Sequence, residues 1–386
     1  MSAQTLPAWV YQNEEFLQLE RAHFLENAWT LVCHVSDIPN PGDYQTITLY
    51  DEPLFVIRTD SGGIQGFYNV CRHRAAKLLD GAGNCGSRIL CPYHAWGYDR
   101  SGELSWVPFE DQYADLDKSQ HALVTVETEV HFGFVFVRTQ SDGDSVAKSL
   151  EPIADTLALY RLEEVQPLDG LSERLTRCNW KNGTDNYVDA LHVKLAHPGL
   201  NSLLNATYTL EDLGHGYSCL QGQVENIVGR SEIARRYHEV LPEVDFLPDH
   251  YKRRWLYFMV WPNLAFNLYP DQVEFMQFLP IDATHTLIRF GNYALPDARP
   301  EMAEARQLNL DLNAQVGEED TDLIERVQVG MASGSYHAGP LGENEVCLRA
   351  FADRLRALLP VAQRARVPEA GTIDTLNRNA LKDGHS

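Results

Sequence analysis

Basic side chains are scarce in this 386-residue chain, where 32 lysines and arginines face 54 aspartates and glutamates for a formal net charge of −22. This deficit argues against a broad electrostatic hold on nucleic acid or an anionic membrane, although a local basic patch stays compatible with it. No run of about 18 apolar residues occurs, and the N-terminus MSAQTLPAWVYQNEEF lacks the basic region and apolar core of a secretory leader. We therefore expect a cytoplasmic protein that binds neither nucleic acid nor membrane.

Cysteines are few, and their number is odd. The seven of them are spread over the whole chain, unlike the dense, even sets of small disulfide-rich proteins. We expect reduced thiols or metal ligands. A nucleotide fingerprint is also missing, because no Gly-x-Gly-x-x-Gly opens a helix, so any nicotinamide chemistry must reside in another chain.

The composition is that of a folded protein, with 44% hydrophobic and 22% charged residues, and the length suits two to three domains or one large one. Apolar spacing predicts an opening amphipathic helix over 13–29. The rest of the chain predicts short antiparallel strands over 42–70 and 123–139, followed by a polar boundary at 140–148. Long strands are predicted at 206–228, 255–269, 272–281 and 285–294, and helices at 300–332 and 344–359. The last twenty or so residues look like a loosely held tail.

A first group of metal-ligand residues pairs Cys71-x-His73 with Cys91-x-x-His94, separated by seventeen residues. Each of the two loops offers one thiolate and one imidazole. Tetrahedral zinc could bind such a set, but zinc fingers pair Cys with Cys and His with His in each half. A Rieske [2Fe–2S] centre needs two Cys on one iron and two His on the other. The spacing and its flanks, Arg72, Arg74, Pro92-Tyr93 and Trp96, resemble the Rieske motif of ring-hydroxylating oxygenases. Cys85, between the loops, is interpreted as a core or loop thiol.

A second group follows in NWKNGTDNYVDALHVKLAHPGL, where His192 and His197 are five residues apart. On an ideal helix they would lie about 140° apart. Pro198 and Gly199 follow at once, so we expect the helix to end or bulge near His197 and let both rings reach one ion. Non-haem Fe(II) oxygenases use two imidazoles and one carboxylate, with positions left open for O₂ and substrate. Candidates for the carboxylate are Asp185, Asp189 and the acidic run 318–322.

The order N-W-K, D-x-x-H-x-x-x-x-H and a later E-D in a helix resembles the mononuclear iron domain of Rieske non-haem iron oxygenase α subunits. The resemblance implies that His192, His197 and Asp320 ligate iron, with Asp322 as the other possible carboxylate. It also implies that Asp189 bridges the iron site to a cluster histidine of the neighbouring subunit; by helical spacing, Asp189 and His192 would share one face. Two interpretations of Asn182 and Asn186 stay equally open: they support the iron site, or they are ordinary polar residues of the helix.

This resemblance spans almost the whole chain. It implies an α+β protein: a β-rich Rieske domain at 39–147 inserted in a helix-grip catalytic domain made of 1–38 and 148–365, with a C-terminal tail at 366–386. It further implies a homotrimer, O₂ as co-substrate, and electrons that come from NADH or NADPH through a separate reductase, often with a ferredoxin.

The function implied is that of a terminal oxygenase that hydroxylates or oxidatively demethylates a small organic substrate. Aromatic residues in the catalytic strands could line an arene pocket or surround a quaternary ammonium group; they are Tyr208, Trp255, Tyr257, Phe258, Trp261, Phe266, Tyr269, Phe275 and Phe278. The run WPNLAFNLYPD is similar to choline-, carnitine- and betaine-oxidising members. However, carnitine-type members carry Glu at the bridging position, where this chain has Asp189. The alternatives are a Rieske electron-transfer protein without oxygenase chemistry and a zinc-stapled binding protein.

Basic residues cluster around the two cysteine–histidine loops, at Arg72, Arg74, Lys77, Arg88 and Arg100. They suggest a docking face for an acidic ferredoxin or reductase. The other interpretation is that Arg72 and Arg74 support the cluster or a subunit interface.

Overall fold

The structure, a computed structural model, describes residues 4–140, 143–204, 208–224 and 231–383. The chain divides into two units: one contains the described residues of 26–149 and 162–167, the other those of 1–25, 150–161 and 168–386. The ends of the predicted 206–228 strand block lie outside the described residues. Within the described ranges, no helix is long and apolar enough to cross a membrane.

The first unit is rich in β structure. Its strands are β1 (Thr30–His34), β2 (Asp43–Leu49), β3 (Glu52–Arg58), β4 (Ile64–Tyr68), β5 (Ala82–Asn84), β6 (Ile89–Leu90), β7 (Gly97–Tyr98), β8 (Leu104–Trp106), β9 (Thr125–His131) and β10 (Phe134–Arg138). They form a seven-stranded sheet in the order β1-β10-β9-β4-β3-β2-β5 and a three-stranded sheet β6-β7-β8. Val, Ile and Phe dominate the central strands, as expected for a pleated surface buried on both faces.

The second unit is built on one antiparallel sheet. Its strands are β11 (Gln166–Thr176), β12 (Thr209–Gly214), β13 (Tyr217–Gln223), β14 (Arg254–Val260), β15 (Leu264–Leu268), β16 (Val273–Asp282) and β17 (His285–Ala294). Their order is β11-β17-β16-β15-β14-β13-β12, so consecutive strands from β12 to β17 are neighbours joined as antiparallel pairs. Six of the seven residues in β14 are buried, because helices cover this part of the sheet.

The helices of the chain are α1 (Glu14–Glu20), α2 (Val146–Leu150), α3 (Ala154–Leu159), α4 (Trp180–Val188), α5 (Val193–Ala196), α6 (Pro198–Leu204), α7 (Glu232–Val240), α8 (Pro300–Met331), α9 (Val346–Leu358) and α10 (Ile373–Asp383). Helix α4 packs on β14 and β16, and the long α8 packs on α4, α6 and α7. A shared core of side chains such as Leu203, Trp255 and Leu312 joins α6, β14 and α8. The predicted α+β architecture, a β-rich domain inserted in a helix-and-sheet domain, is confirmed.

The structure corrects three details of the sequence-based expectations. The opening helix is shorter than 13–29: α1 ends at Glu20 and gives way to a π-helical turn over Arg21–Leu25. The β-rich unit starts at residue 26 rather than 39, because β1 pairs with β10. The C-terminal tail is a packed helix in its described part, since Ile373 is fully buried and its backbone N–H donates to Glu15.

Candidate metal centres and active site

The two cysteine–histidine loops of the β-rich unit share one backbone design. In the first, Ala75 N–H donates to Cys71 O; in the second, Ala95 N–H donates to Cys91 O, both at 3.0 Å. Ala75 and Ala95 both have positive φ, 57° and 54°. Left-handed backbone is unfavourable for alanine, so the surrounding hydrogen bonds must hold each turn in place. The two loops thus have the same turn conformation and lie on opposite sides of one space.

The side chains of these loops converge as the sequence predicts. Cys71 and Cys91 are buried in the core of the unit, and the rings of His73 and His94 lie 4.7 Å apart between centroids. Trp96 stacks on His73 at 4.7 Å with planes 9° apart. The Nδ1 atom of His73 is buried and has no hydrogen-bond partner among the described residues. Two buried thiols beside two imidazoles, one with an unsatisfied nitrogen, are the donor set that a Rieske [2Fe–2S] cluster requires.

Tyr98 is a supporting residue that sequence reasoning missed. Its hydroxyl lies 3.3 Å from Cys71 Sγ and accepts a hydrogen bond from Arg72 N–H at 2.9 Å. Hydrogen bonds to the sulfur ligands of an iron–sulfur cluster tune its potential, so Tyr98 is the residue that would have this effect on a cluster held by Cys71. Its only signal in the sequence is its place in a short strand directly after the second loop.

The histidines of the second unit lie where helical structure is interrupted. Helix α4 ends at Val188, and Asp189 already has extended backbone, φ −91° and ψ 123°. His192 precedes the single turn α5, and His197 follows it with non-helical angles, as the Pro-Gly sequence predicts. The expectation that Asp189 and His192 share a face of one helix is therefore wrong. The two residues meet because the chain leaves α4, with Asp189 Oδ1 accepting Leu191 N–H at 2.8 Å.

Three ligand atoms converge at this point. His192 Nε2 and His197 Nε2 are 3.1 Å apart, and Asp320 Oδ1 on α8 lies 3.5 Å from the first and 3.0 Å from the second. Within the described residues, these three form the one group of metal-binding type whose ligand atoms lie within 4.8 Å of one another. Two imidazoles and one carboxylate are the set used by non-haem Fe(II) oxygenases, so the residues fit the ion.

Each imidazole also contacts a second carboxylate through its Nδ1 atom. His192 Nδ1 donates to Asp189 Oδ2 at 3.0 Å, and His197 Nδ1 donates to Glu319 Oε2 at 2.7 Å. Such contacts fix the ring orientation and leave Nε2 of each ring facing Asp320 Oδ1, where a metal ion would be held. Glu319 was only one member of the acidic run in the sequence, and its adjacency to Asp320 is the signal that could have singled it out.

The charges of this group favour a bound cation. Burial lowers the pKa of His192, but the hydrogen bonds that its ring donates to Asp189 and Asp320 outweigh burial and raise the pKa to about 9. Burial also raises the pKa of Asp320, yet the two histidines bring it down to about 2. The site therefore attracts positive charge, which it can take as protons on the rings or as a metal ion.

The other candidate residues have different partners. Asp322 is on the surface in an ion pair with Arg326, and Asp185 accepts a hydrogen bond from Tyr11 at 2.5 Å. Asn182 donates to Gln328 Oε1 at 2.8 Å, which makes it part of the packing between α4 and α8. Asn186 lines the cavity beside the histidines.

The basic residues around the first centre are partly engaged. Arg100 pairs with Asp60, and Lys77 pairs with Asp80 at 2.7 Å. Arg74 lies over the Tyr93 ring at 5.2 Å. Arg72, Arg74 and Lys77 are exposed, and of these three Lys77 is in an ion pair among the described residues.

A cavity of about 450 Å³ adjoins the histidine–aspartate group, between the sheet and helices α4 and α8. Three of the nine aromatics singled out from the sequence line it: Tyr208, Tyr257 and Phe278. Tyr187 and Phe290 line it as well and were not among the nine. This volume suits a small organic molecule.

A β-rich unit with a cysteine–histidine cluster site, joined to a unit with a two-histidine, one-carboxylate site beside a small-molecule cavity, defines the class of Rieske non-haem iron oxygenases. Residues 28–127 match the Rieske [2Fe-2S] domain, and residues 157–360 match the ring hydroxylating alpha subunit (catalytic domain). The chain belongs to the ring-hydroxylating α subunit family. It is an oxygenase subunit whose cofactors are a [2Fe–2S] cluster and a mononuclear iron, with O₂ as co-substrate, and not a plain electron carrier.

Known proteins are similar to it over most of its length. The carnitine monooxygenase oxygenase subunit of Escherichia coli (strain K12) is 29% identical over 339 residues, 86% of each chain. A solved quaternary ammonium Rieske monooxygenase superposes with a TM-score of 0.78 at 25% identity, covering 94% of this chain and 96% of the other. Naphthalene 1,2-dioxygenase from Rhodococcus sp. shares the fold, with a TM-score of 0.76 at 22% identity, over 92% and 94% of the two chains.

Proposed function

We propose that His192, His197 and Asp320 hold the mononuclear iron and that Cys71, His73, Cys91 and His94 hold the [2Fe–2S] cluster. The observation that carries this proposal is the convergence of the three ligand atoms beside the cavity. When bound, the iron supplies O₂ activation next to the substrate. The chain's own residues orient the imidazoles, exclude water from the cavity and position the substrate.

The functional assembly is a homotrimer in which electrons pass from the cluster of one subunit to the iron of the next. Asp189 is the bridging residue. Its Oδ2 holds His192, and its side chain is 21% exposed, so each carboxylate oxygen keeps a lone pair for a further donor. The solved quaternary ammonium Rieske monooxygenase is described as using inter-subunit electron transfer, which supports this proposal.

Electrons reach the cluster from a separate NAD(P)H-dependent reductase, with or without a ferredoxin. The exposed Arg72 and Arg74 lie on the loop that carries His73, and they suit an acidic donor. None of the seven cysteines, all of which lie in the described residues, forms a disulfide, in accord with a cytoplasmic location beside the nicotinamide pool.

The reaction is the insertion of one or two oxygen atoms into a small substrate. For hydroxylation, R–H, O₂, two electrons and two protons give R–OH and water. Where the attacked carbon is an N- or O-methyl group, the hydroxymethyl product breaks its C–N or C–O bond to release formaldehyde and the demethylated compound. The carnitine-oxidising relative supports a substrate with an N-methyl group.

The test is a turnover screen with a compatible reductase. NAD(P)H and O₂ consumption, together with product formation, are measured for N-methylated betaines, aromatic acids and aryl ethers. We expect one class to give consumption matched by product. Absence of product with every class, while the reductase still reduces the cluster, would reject the oxygenase assignment of this site.

A further inference from the structure

A row of polar residues crosses the sheet face that lines the cavity. Asn292 on β17, Glu274 on β16, Asn267 on β15 and Tyr257 on β14 are consecutive cross-strand partners. All four line the cavity. Directly opposed residues on neighbouring strands share one face of a sheet, so the row forms a continuous polar band under the substrate space.

Glu274 is the charged member of this row, and it is buried. Its exposed fraction is 6%, and no lysine or arginine acts on its charge among the described residues. Burial raises its pKa to about 7, partly offset by a hydrogen bond from Asn267, while the charge of Asp169 adds to the rise. An unpaired buried acid is costly to a fold, which indicates a role other than stability.

The contacts of Glu274 leave one oxygen available to the cavity. Oε2 accepts from Asn267 Nδ2 at 2.7 Å and lies 3.5 Å from the Tyr269 hydroxyl. Tyr187 in turn donates to Asn267 Oδ1 at 2.5 Å, which fixes the amide with its N–H groups toward Glu274. In the part of the chain that the structure describes, Oε1 accepts no hydrogen bond. The carboxylate is therefore held in place by one oxygen only.

The charges around the cavity favour a cation. The carboxylates that line it are Asp169, Asp189, Glu274, Asp311 and Asp320. Arg174 is the one lysine or arginine among the lining residues that the structure describes. Its Nη1 atom is turned to α8, where it donates to Gly317 O at 2.6 Å and Thr321 Oγ1 at 3.1 Å. Even with iron balancing Asp320, the cavity keeps an excess of negative charge.

Tyrosine rings also line the cavity. Tyr257 contacts Tyr187 and Tyr208 edge-to-face, with centroids 6.5 Å and 6.3 Å away. The Tyr257 hydroxyl is buried and makes no well-formed hydrogen bond within the described ranges, although Tyr269 is its neighbour. Electron-rich ring faces beside a carboxylate are the surroundings in which alkylated ammonium groups are bound.

We propose that Glu274 is the specificity-determining residue of this oxygenase, and that its carboxylate pairs with a quaternary or protonated nitrogen of the substrate while Tyr187, Tyr208 and Tyr257 cover the alkyl groups. The inference rests on the proposed function and narrows its substrate class to cationic N-alkyl compounds. A neutral arene would have to displace water from Glu274 without any compensating contact.

The test is anaerobic calorimetry on the oxidised holoprotein, which measures binding without turnover. The probes are choline and its uncharged isostere 3,3-dimethylbutan-1-ol. We expect wild type to bind choline at least about tenfold more tightly than the isostere. Glu274→Gln should remove that preference by weakening choline binding about tenfold or more, and should leave the affinity for the isostere within about twofold.

Two further variants control the experiment. Glu274→Asp keeps the charge and should retain part of the preference, and it serves as the test if Glu274→Gln loses its cluster spectrum. Glu232→Gln removes an equal charge from a side chain that is 86% exposed, and it should change nothing. Equal affinity of wild type for both probes, no binding of choline, or an unchanged preference in Glu274→Gln would each overturn the inference. Failure of the proposed function is distinguished by absent product in the turnover screen, which needs electrons and O₂.

Discussion

His192 Nε2 and His197 Nε2 lie 3.1 Å apart, although five positions separate the residues in a segment whose ends are helical. On an uninterrupted helix the two rings would point about 140° apart. The single turn of α5, flanked by non-helical backbone at Asp189 and His197, removes that obstacle. The interruption is what makes a common metal ion possible.

Replacement of His192 by alanine should empty the mononuclear site and spare the cluster. The substitution removes one of the three proposed ligands, which is also the partner of Asp189, while the cysteine–histidine loops belong to the other unit. We expect iron content to fall toward the two atoms of the cluster, with an unchanged Rieske EPR signal and no product. His285→Ala is the control, because His285 hydrogen-bonds to its neighbours Asp282 and Thr284 at the β16–β17 turn and is not a member of the metal-binding group. Surviving product formation would show that iron is held elsewhere.

Glu319→Gln should weaken iron binding without removing a ligand. The carboxylate orients His197 through a 2.7 Å contact and is itself held by Gln315 at 2.7 Å. Loss of such support typically costs about 10- to 100-fold in metal affinity. Chelator competition on the holoprotein measures the effect. Glu318→Gln, at the exposed neighbouring position, is the matched control and should retain wild-type affinity; equal affinities for the two variants would refute the role of Glu319.

Mixed trimers test the path through Asp189. Subunits with His94→Ala and subunits with His192→Ala are each expected to be inactive alone. When they are co-assembled in equal amounts, electron transfer between neighbours should restore about a quarter of the wild-type rate per subunit. Adding Asp189→Asn to the subunit that keeps its iron site should abolish this rescue. A mixture as inactive as its components would place electron transfer within one subunit.

Asp185 should make the folded protein less stable as the pH rises. Burial raises its pKa from 3.8 to about 7, opposed by the hydrogen bond from Tyr11 and by Lys181. An acid whose pKa is higher in the folded state gives the fold a contribution that is fully present below the unfolded pKa. This contribution is lost progressively as the pH rises from about 3.8 to about 7. The loss is at most about 1.4 kcal/mol per pH unit.

Asp185→Asn should therefore raise the melting temperature at pH 8 and flatten its decline between pH 5 and 7, the range between the ordinary and the folded pKa of Asp185, as followed by calorimetry. Asp322→Asn removes a surface carboxylate that is paired with Arg326 and should keep the wild-type slope. A slope in Asp185→Asn equal to that of wild type would mean that Asp185 does not bind a proton in this range.

Residues with fixed spacing were the most predictable part of the site. The motifs Cys71-x-His73 and Cys91-x-x-His94 predict the two cysteine–histidine loops. Pro198 predicts the helix interruption that lets His192 and His197 meet. The strands from β14 to β17 also follow directly from their long β-rich runs. Local sequence carries these features because the contacts behind them are short-range.

Partners from distant segments were not predictable in the same way. Glu319 reaches His197 across 122 positions, and Tyr98 reaches Cys71 across 27, so no periodicity reveals either contact. Glu274 sits in an apolar strand, and only the sheet register brings it beside Asn267 and Asn292. The prediction of a loosely held C-terminal tail was wrong for a related reason, because α10 is ordered by its packing against the N-terminal segment.

A single turnover with labelled oxygen tests the central claim most directly. Protein reduced chemically, loaded with the substrate found in the turnover screen and exposed to ¹⁸O₂ should form product that carries ¹⁸O, in the hydroxyl group or in released formaldehyde. His192→Ala, treated identically, should form none, although its cluster is reduced to the same extent. Labelled product from wild type alone agrees with oxygenation at the His192–His197–Asp320 centre; equal product from both proteins, or product without the label, would contradict it.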